Sequence, residues 1–250
     1  MNRIARAYYD IVNRGGFLRW LFVFRKTHLI RSGKSHFSQW GEDVVVEKFL
    51  LDAPKGSYYI DVGCFHPKKH SNTYRLFKSG WHGINIDVDD IKTDVFRLAR
   101  PEDENLCCAV GNNQSQATLY SFGYYSLMNT LDREKADEYV RSGFQCEEKA
   151  ITVRTLTDIV DKSRFKAAPI GLLNIDVEGF EGSVLRSLDF TRYRPRLILV
   201  ELHVGTLESL LNDRSYQFLT KELGYEMVNW TGLTVFFLDR DLATARAVLG

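Results

Sequence analysis

Residues Ser57–His70, SYYIDVGCFHPKKH, decide the fold. An apolar run closes on Asp61 and turns at Gly63, which reads as a strand opening into a loop at its carboxyl end. A dinucleotide-binding turn uses three glycines to bring backbone against a pyrophosphate, and this turn holds one. A single residue without a Cβ lets the chain pass close to a ligand that has no phosphates.

Outward from this stretch, strands and helices alternate. SNTYRLFKSG reads as a helix capped by Ser71 or Asn72 and stopped by Gly80. HGINIDV is a strand ending at Asp87, DIKTDVFRLA a helix, and NLCCAV a strand stopped by Gly111. QATLYSF and KAITVRTL are extended pieces flanking a long insertion, and TLTDIVDK is a helix capped by Thr155. IGLLNIDV ends at Asp176, GFEGSVLRSL is a helix, and PRLILVELH ends at His203. TLESLLNDRSYQFLTKEL reads as one helix, and YEMVNW with LTVFFLD as a hairpin turning at Thr231–Gly232. Ser38 is a candidate cap for a helix over SQWGEDVVVEKFLL. Apolar strands alternating with helices predict an α/β fold, a doubly wound, mostly parallel sheet.

Ligands of such sheets bind beyond the strands' carboxyl ends. There the sequence collects Asp61, Gly63, Asp87, Asp176, Glu178, Glu201 and His203. Five carboxylates repel a phosphate-rich ligand and suit a cationic one. Asp87 follows Asp61 by 26 residues, near the spacing at which an acid accepts hydrogen bonds from both ribose hydroxyls. S-adenosylmethionine, an adenosine with an amino-acid tail and a sulfonium, has this character.

These residues resemble the FkbM-type S-adenosylmethionine-dependent methyltransferases. The marks are SQWGED, YIDVGCFHP, SNTYRLFKSGWHGINID, CCAVG, TVRTLTDIV, LLNIDVEGFEGSVL and RPRLILVELH, spanning about Ser38 to Asp239. The resemblance implies the class I methyltransferase fold, Rossmann-like, with seven strands of which the last is antiparallel. It implies that Asp61 and Gly63 lie at the methionine end of the cofactor. Asp87 would bind the ribose, and Val88, Cys108 and Ala109 would flank the adenine. Gln39, Asp43, Ser71, Asn72 and Thr73 would close over the tail. Asp87 stands where the family usually carries Glu followed by Pro.

Methyl transfer to a hydroxyl needs a positioned acceptor and a group that removes its proton. Asp176 is the best-placed base at the end of the central strand. His203, expected on the neighbouring strand end, is the residue type that changes charge near neutral pH. Glu178 completes the catalytic set, and Glu181 reads as a helix cap. Asp176, Glu178 and His203 also suit a divalent cation, although the metal-free arrangement is preferred. The insertion Ser121–Lys149, with Tyr124, Tyr125 and Phe144, is the expected acceptor wall. The acceptor class implied is a hydroxyl on a sugar, a glycan or a secondary metabolite. Rival readings are a scaffold that binds the cofactor without catalysis and an NAD-dependent oxidoreductase. The lone Tyr74-x-x-x-Lys78 supports the latter poorly, because it falls on the wrong helix.

A net charge of +1 over 250 residues excludes a general nucleic-acid binder. The charge is uneven, since residues 1–34 hold eight Arg and Lys against the single acid Asp10. This segment, 1–37, reads as one or two basic amphipathic helices broken near Gly15–Gly16, ahead of a catalytic domain over 38–250. It either docks on that domain or touches the inner face of a membrane as a peripheral contact. WLFVF is too short to span a bilayer, and no cleavage site follows it. The four cysteines form no metal or disulfide pattern, which suits a reducing cytoplasm.

Overall fold

In the computed structural model, which describes residues 15–29 and 35–241, the chain divides into two units between Ser35 and His36. The first contains a nine-residue helix, Gly16–Phe24, continued by a π turn, Arg25–Leu29. Gly15 and Gly16, at its start, both have positive φ. Residues 1–14 and 30–34, over which a further helix was expected, lie outside the described residues. Among the described residues no helix is long and apolar enough to cross a membrane.

The second unit is built on a seven-stranded sheet of order β3-β2-β1-β7-β8-β10-β9. Its strands are β1 (Tyr58–Val62), β2 (Gly83–Asp87), β3 (Glu104–Cys107), β7 (Ile170–Ile175), β8 (Leu197–Glu201), β9 (Tyr225–Thr231) and β10 (Thr234–Asp239). The first five run parallel, and β10 is antiparallel to both its neighbours, as the sequence pattern predicts. Every residue of β1, β2 and β7 is buried, because both faces of the sheet are covered. Tyr58, Ile60, Val62, Ile86 and Ile175 pack on one side with Leu156, Ile159 and Val184. Tyr59, Leu172 and Leu199 pack on the other with Val46, Leu50 and Leu76. Burying an aliphatic side chain of this size contributes roughly 1.5–3 kcal/mol, so the two layers hold the strand ends rigidly.

Three expected elements are drawn differently. NLCCAV is two strands. The chain leaves the large sheet at Cys107, and β4 (Ala109–Val110) joins a second, three-stranded sheet with β5 (Ser115–Ser121) and β6 (Glu147–Arg154), in the order β4-β6-β5. The helix expected over residues 206–223 breaks at Asp213, whose carboxylate accepts the Ser215 and Tyr216 N–H groups and so caps a new start. β8 ends at Glu201, and His203 lies beyond it in a loop where Leu202 N–H bonds to Leu233 O. The helix for which Ser38 is the expected cap begins at Glu42 with Gly41 as its N-cap, while the Ser38 hydroxyl accepts the Gly41 and Asp43 N–H groups at 3.2 Å.

Candidate functional site

β1, β2 and β7 end side by side, with Asp61 in register with Asn85 on one neighbour and Asn174 on the other. Side chains alternate along each strand, so Asp61, Asn85 and Asn174 share the face of Tyr59. There Asp61 Oδ1 accepts Asn174 Nδ2 at 2.8 Å and Asp61 Oδ2 accepts the Thr73 hydroxyl at 2.8 Å. Asn72 Nδ2 donates in turn to Asn174 Oδ1. Burial raises the Asp61 pKa, and these donors together with the Arg100 charge oppose the rise. Arg100, wholly buried, donates to Thr73, Ser71, Tyr59 and the Pro67 carbonyl. The expected tail-binding group Asp61, Ser71, Asn72 and Thr73 is therefore a closed network beneath the loop after β1.

The opposite side of the same strand ends opens into a cavity of about 130 Å³. Its walls contain Gly63, Asp87, Val88, Cys108, Ala109, Asp176 and Glu178, all singled out from sequence. Gln39 and Asp43 are not among them. Gln39 is exposed, and Asp43 is committed to Phe37 N–H, the Ser38 hydroxyl and Arg75. Gly63 has a reason other than ligand approach: a Cβ there would lie 1.6 Å from the Asp176 carbonyl oxygen. The close backbone packing of this turn is what requires glycine.

Asp87 is buried at the cavity wall. Its Oδ1 accepts Asp89 N–H at 2.8 Å, and its Oδ2 faces Lys92 Nζ at 3.8 Å, beyond hydrogen-bond length. Burial pushes its pKa up to about 6, against the pull of Lys92. Val62, Ile86, Ala109, Val110 and Phe180 supply apolar wall around it. The Cys108 thiol is pushed up to about 11 by burial, so it stays neutral and unreactive in this wall.

Asp176 stands against Glu201. Burial first, then the charge and hydrogen bond of Glu201, then Glu178 and Asp61, hold the Asp176 carboxyl well above the ordinary carboxylate range. The raised pKa favours a proton at the Asp176 end of this pair. Glu178 adopts a left-handed backbone, φ 54°, which places its carboxylate between Lys135 Nζ at 3.3 Å and His203 Nε2 at 3.8 Å. His203 Nε2 is also 3.7 Å from Glu201 Oε1. His203 lines a second, open depression of about 420 Å³ with Ser183, Arg186, Asp213, Arg214 and Ser215, and Phe180 is common to both walls. Glu181 Oε1 accepts Gly179 N–H at 2.8 Å, the local role expected of it.

The insertion walls the first cavity rather than the second. Asp89 Oδ2 accepts both Tyr125 N–H and Asn129 Nδ2 at 3.2 Å, which pins Ser126–Leu131 over the end of β2. Tyr124 is exposed, Phe144 packs edge-on to Tyr139, and Tyr125 packs on Phe65.

The Methyltransferase FkbM domain matches residues 52–227, from just ahead of β1 into β9. The chain belongs to the FkbM methyltransferase family. Comparison with curated proteins and with solved structures finds no match. In this methyltransferase Gln39 and Asp43 fall outside the matched span, as well as outside the cavity. Among the described residues no group of three or more His, Cys, Asp or Glu side chains is disposed to hold a metal ion, Asp176, Glu178 and His203 included. Arg100, Asn85, Asn174, Asp89 and Lys92 are the functional neighbours that sequence reasoning missed. A signal for two of them exists: Asn-Ile-Asp occurs at both strand ends, as Asn85–Asp87 and Asn174–Asp176.

Proposed function

We propose that this methyltransferase uses S-adenosylmethionine and methylates a hydroxyl of a sugar, glycan or secondary-metabolite acceptor. The observation that carries the reading is Asp87, a buried carboxylate in an apolar wall at the strand ends. The donor set fits the cofactor: carboxylates at Asp87, Asp176 and Glu178 suit a sulfonium, and Asp87 suits the ribose diol. Val88, Cys108 and Ala109 provide an apolar slot for adenine. When bound, the cofactor supplies an electrophilic methyl group.

The chain's own residues then have to orient the acceptor and take its proton. His203 suits this better than Asp176, whose carboxyl is held well above the ordinary range by burial and by Glu201. With Nε2 turned to Glu178 and Glu201, Nδ1 is the nitrogen left for the acceptor hydroxyl. The depression around His203 is dense in hydroxyl, guanidinium and carboxylate groups, which supports a polyhydroxylated acceptor.

Titration calorimetry with S-adenosylhomocysteine and with NAD tests the cofactor, and labelled methyl transfer to a panel of sugars tests the acceptor. Binding of S-adenosylhomocysteine alone is expected. Binding of NAD would overturn the reading, and cofactor binding without transfer to any hydroxyl acceptor would point to the scaffold.

A further inference from the structure

The helix Gly16–Phe24 and the turn after it bury none of their residues. Phe17 is 72 % exposed, Trp20 57 % and Leu21 47 %, and Leu18, Val23, Phe24 and Leu29 are exposed as well. The aromatic rings form a row along one side: Phe17 stacks on Trp20, Trp20 on Phe24, and Phe24 meets His28 at 4.8 Å. Arg19 and Lys26, seven positions apart and thus close to two turns, share the other side. A helix of this kind left in water costs free energy at every ring, so something apolar covers the row.

Charge decides what that is. Residues 1–34 carry a surplus of seven positive charges. A second copy of the same segment would meet like charge. A nucleic acid would satisfy the cations and leave the aromatic row wet. An anionic bilayer surface satisfies both, with the rings at the acyl boundary and Arg19, Arg25 and Lys26 among the headgroups. Nine helical residues and a five-residue turn rise only about 1.5 Å each, too little to cross a hydrocarbon core of roughly 30 Å.

We propose that Gly16–Leu29 is an in-plane anchor that holds this chain on an anionic membrane surface, as at the inner face of a cell membrane. The proposal does not rest on the cofactor or the acceptor. It makes the preferred acceptor one that is presented at that surface.

The test is co-sedimentation of the full chain with phosphatidylcholine vesicles, with and without one part in four of phosphatidylglycerol. Binding is expected on the anionic vesicles alone, and it should weaken in high salt. Trp20→Glu with Phe24→Glu should abolish it. Arg19→Glu should lower affinity by about fivefold or more, the size of one cation's attraction to an anionic leaflet. Both variants alter exposed side chains, and unchanged thermal melts would verify that the fold is kept. Equal, low sedimentation with both vesicle types overturns the proposal. So does self-association through this segment in the absence of lipid, or lipid binding that survives the Trp20 and Phe24 changes.

Discussion

Gly63 and Asp176 meet backbone to backbone: the space where a Gly63 Cβ would sit is filled by the Asp176 carbonyl oxygen, 1.6 Å away. The contact ties the turn after β1 to the turn after β7, and Asp176 N–H bonds back to Val62 O at 2.9 Å. Gly63→Ala must therefore push the two turns apart and also hold φ near +85°. About 1–2 kcal/mol of left-handed strain plus a backbone displacement of similar cost gives an expected loss of roughly 3 kcal/mol. Gly179→Ala is the control, since a Cβ there meets nothing within 4 Å and only the strain of a positive φ remains. Urea denaturation of both variants checks this. Equal losses would mean that the Gly63 contact carries no weight of its own.

Asp87 makes ligand binding depend on pH. Its folded pKa of about 6 is raised from 3.8. The folded state therefore holds the extra proton, and this residue's contribution to stability is present below about pH 4 and lost as pH rises through 6. Hydroxyl donors require the ionised form. Affinity for S-adenosylhomocysteine should be level above pH 7 and fall below pH 6, by up to about tenfold per pH unit. Asp87→Asn should bind weakly at all pH values and flatten the profile. Calorimetry from pH 5 to 8 reads both, and a profile for the unaltered chain that stays level to pH 5 would remove Asp87 from the site.

Much of this was legible because strand ends are local features. Asp87 and Asp176 close apolar runs, and such runs identify parallel strands wherever helices alternate with them. Arg100 was not legible, because its partners Ser71, Thr73 and Tyr59 come from a different loop and strand and only the folded chain brings them together. Asn85 and Asn174 act through register across neighbouring strands, which a single chain pattern does not reveal. His203 was drawn onto β8 because the apolar run continues to Leu202, whereas pairing with β10 stops at Glu201. The insertion was assigned to the acceptor because its aromatics drew attention, while the bonds that position it come from Asp89, a residue that also caps the next helix.

Arg100 holds the loop between β1 and the helix Tyr74–Lys78. It is encircled by the rings of Tyr59, Tyr74, Phe77 and Phe96 at 5.1–6.0 Å. Arg100→Met keeps much of the stem but strands the Pro67 carbonyl and the hydroxyls of Ser71 and Thr73, and it removes a charge that favours ionised Asp61. The expected loss is about 3–5 kcal/mol, the usual cost of removing one member of a buried charged network. Arg100→Lys, with fewer donors and no planar fork, should recover only part of it. Denaturation curves decide. A loss below about 1 kcal/mol for the Met variant would class the network as dispensable.

His203 is the expected proton acceptor, held by carboxylates on two sides. His203→Ala should bind S-adenosylhomocysteine as the unaltered chain does and lower kcat on a methylated hydroxyl acceptor by about 10²–10⁴-fold. Glu178→Gln should lower kcat less, because Glu201 Oε1 remains 3.7 Å from the ring, and should weaken S-adenosylmethionine more than the neutral thioether. Normal turnover by His203→Ala would return the base to Asp176.

Burial and the neighbouring Glu201 raise the Asp176 pKa and so favour a proton shared by the pair, which a cationic ligand should displace. Asp61, Glu178, Asp87, Lys92 and, 3.3 Å from Glu178, Lys135 are further charges near the pair or its cavity. A sulfonium in this cavity adds positive charge and lowers the Asp176 pKa, whereas the neutral thioether of S-adenosylhomocysteine does not. Binding of S-adenosylmethionine near neutral pH should thus release up to about one proton more than binding of the thioether. Calorimetry in two buffers of different ionisation enthalpy measures this difference directly, without any acceptor. Asp176→Asn removes the shared proton, and the two ligands should then release equal numbers. Equal release by the unaltered chain would show that the pair is already ionised, or that the charge of the ligand lies elsewhere.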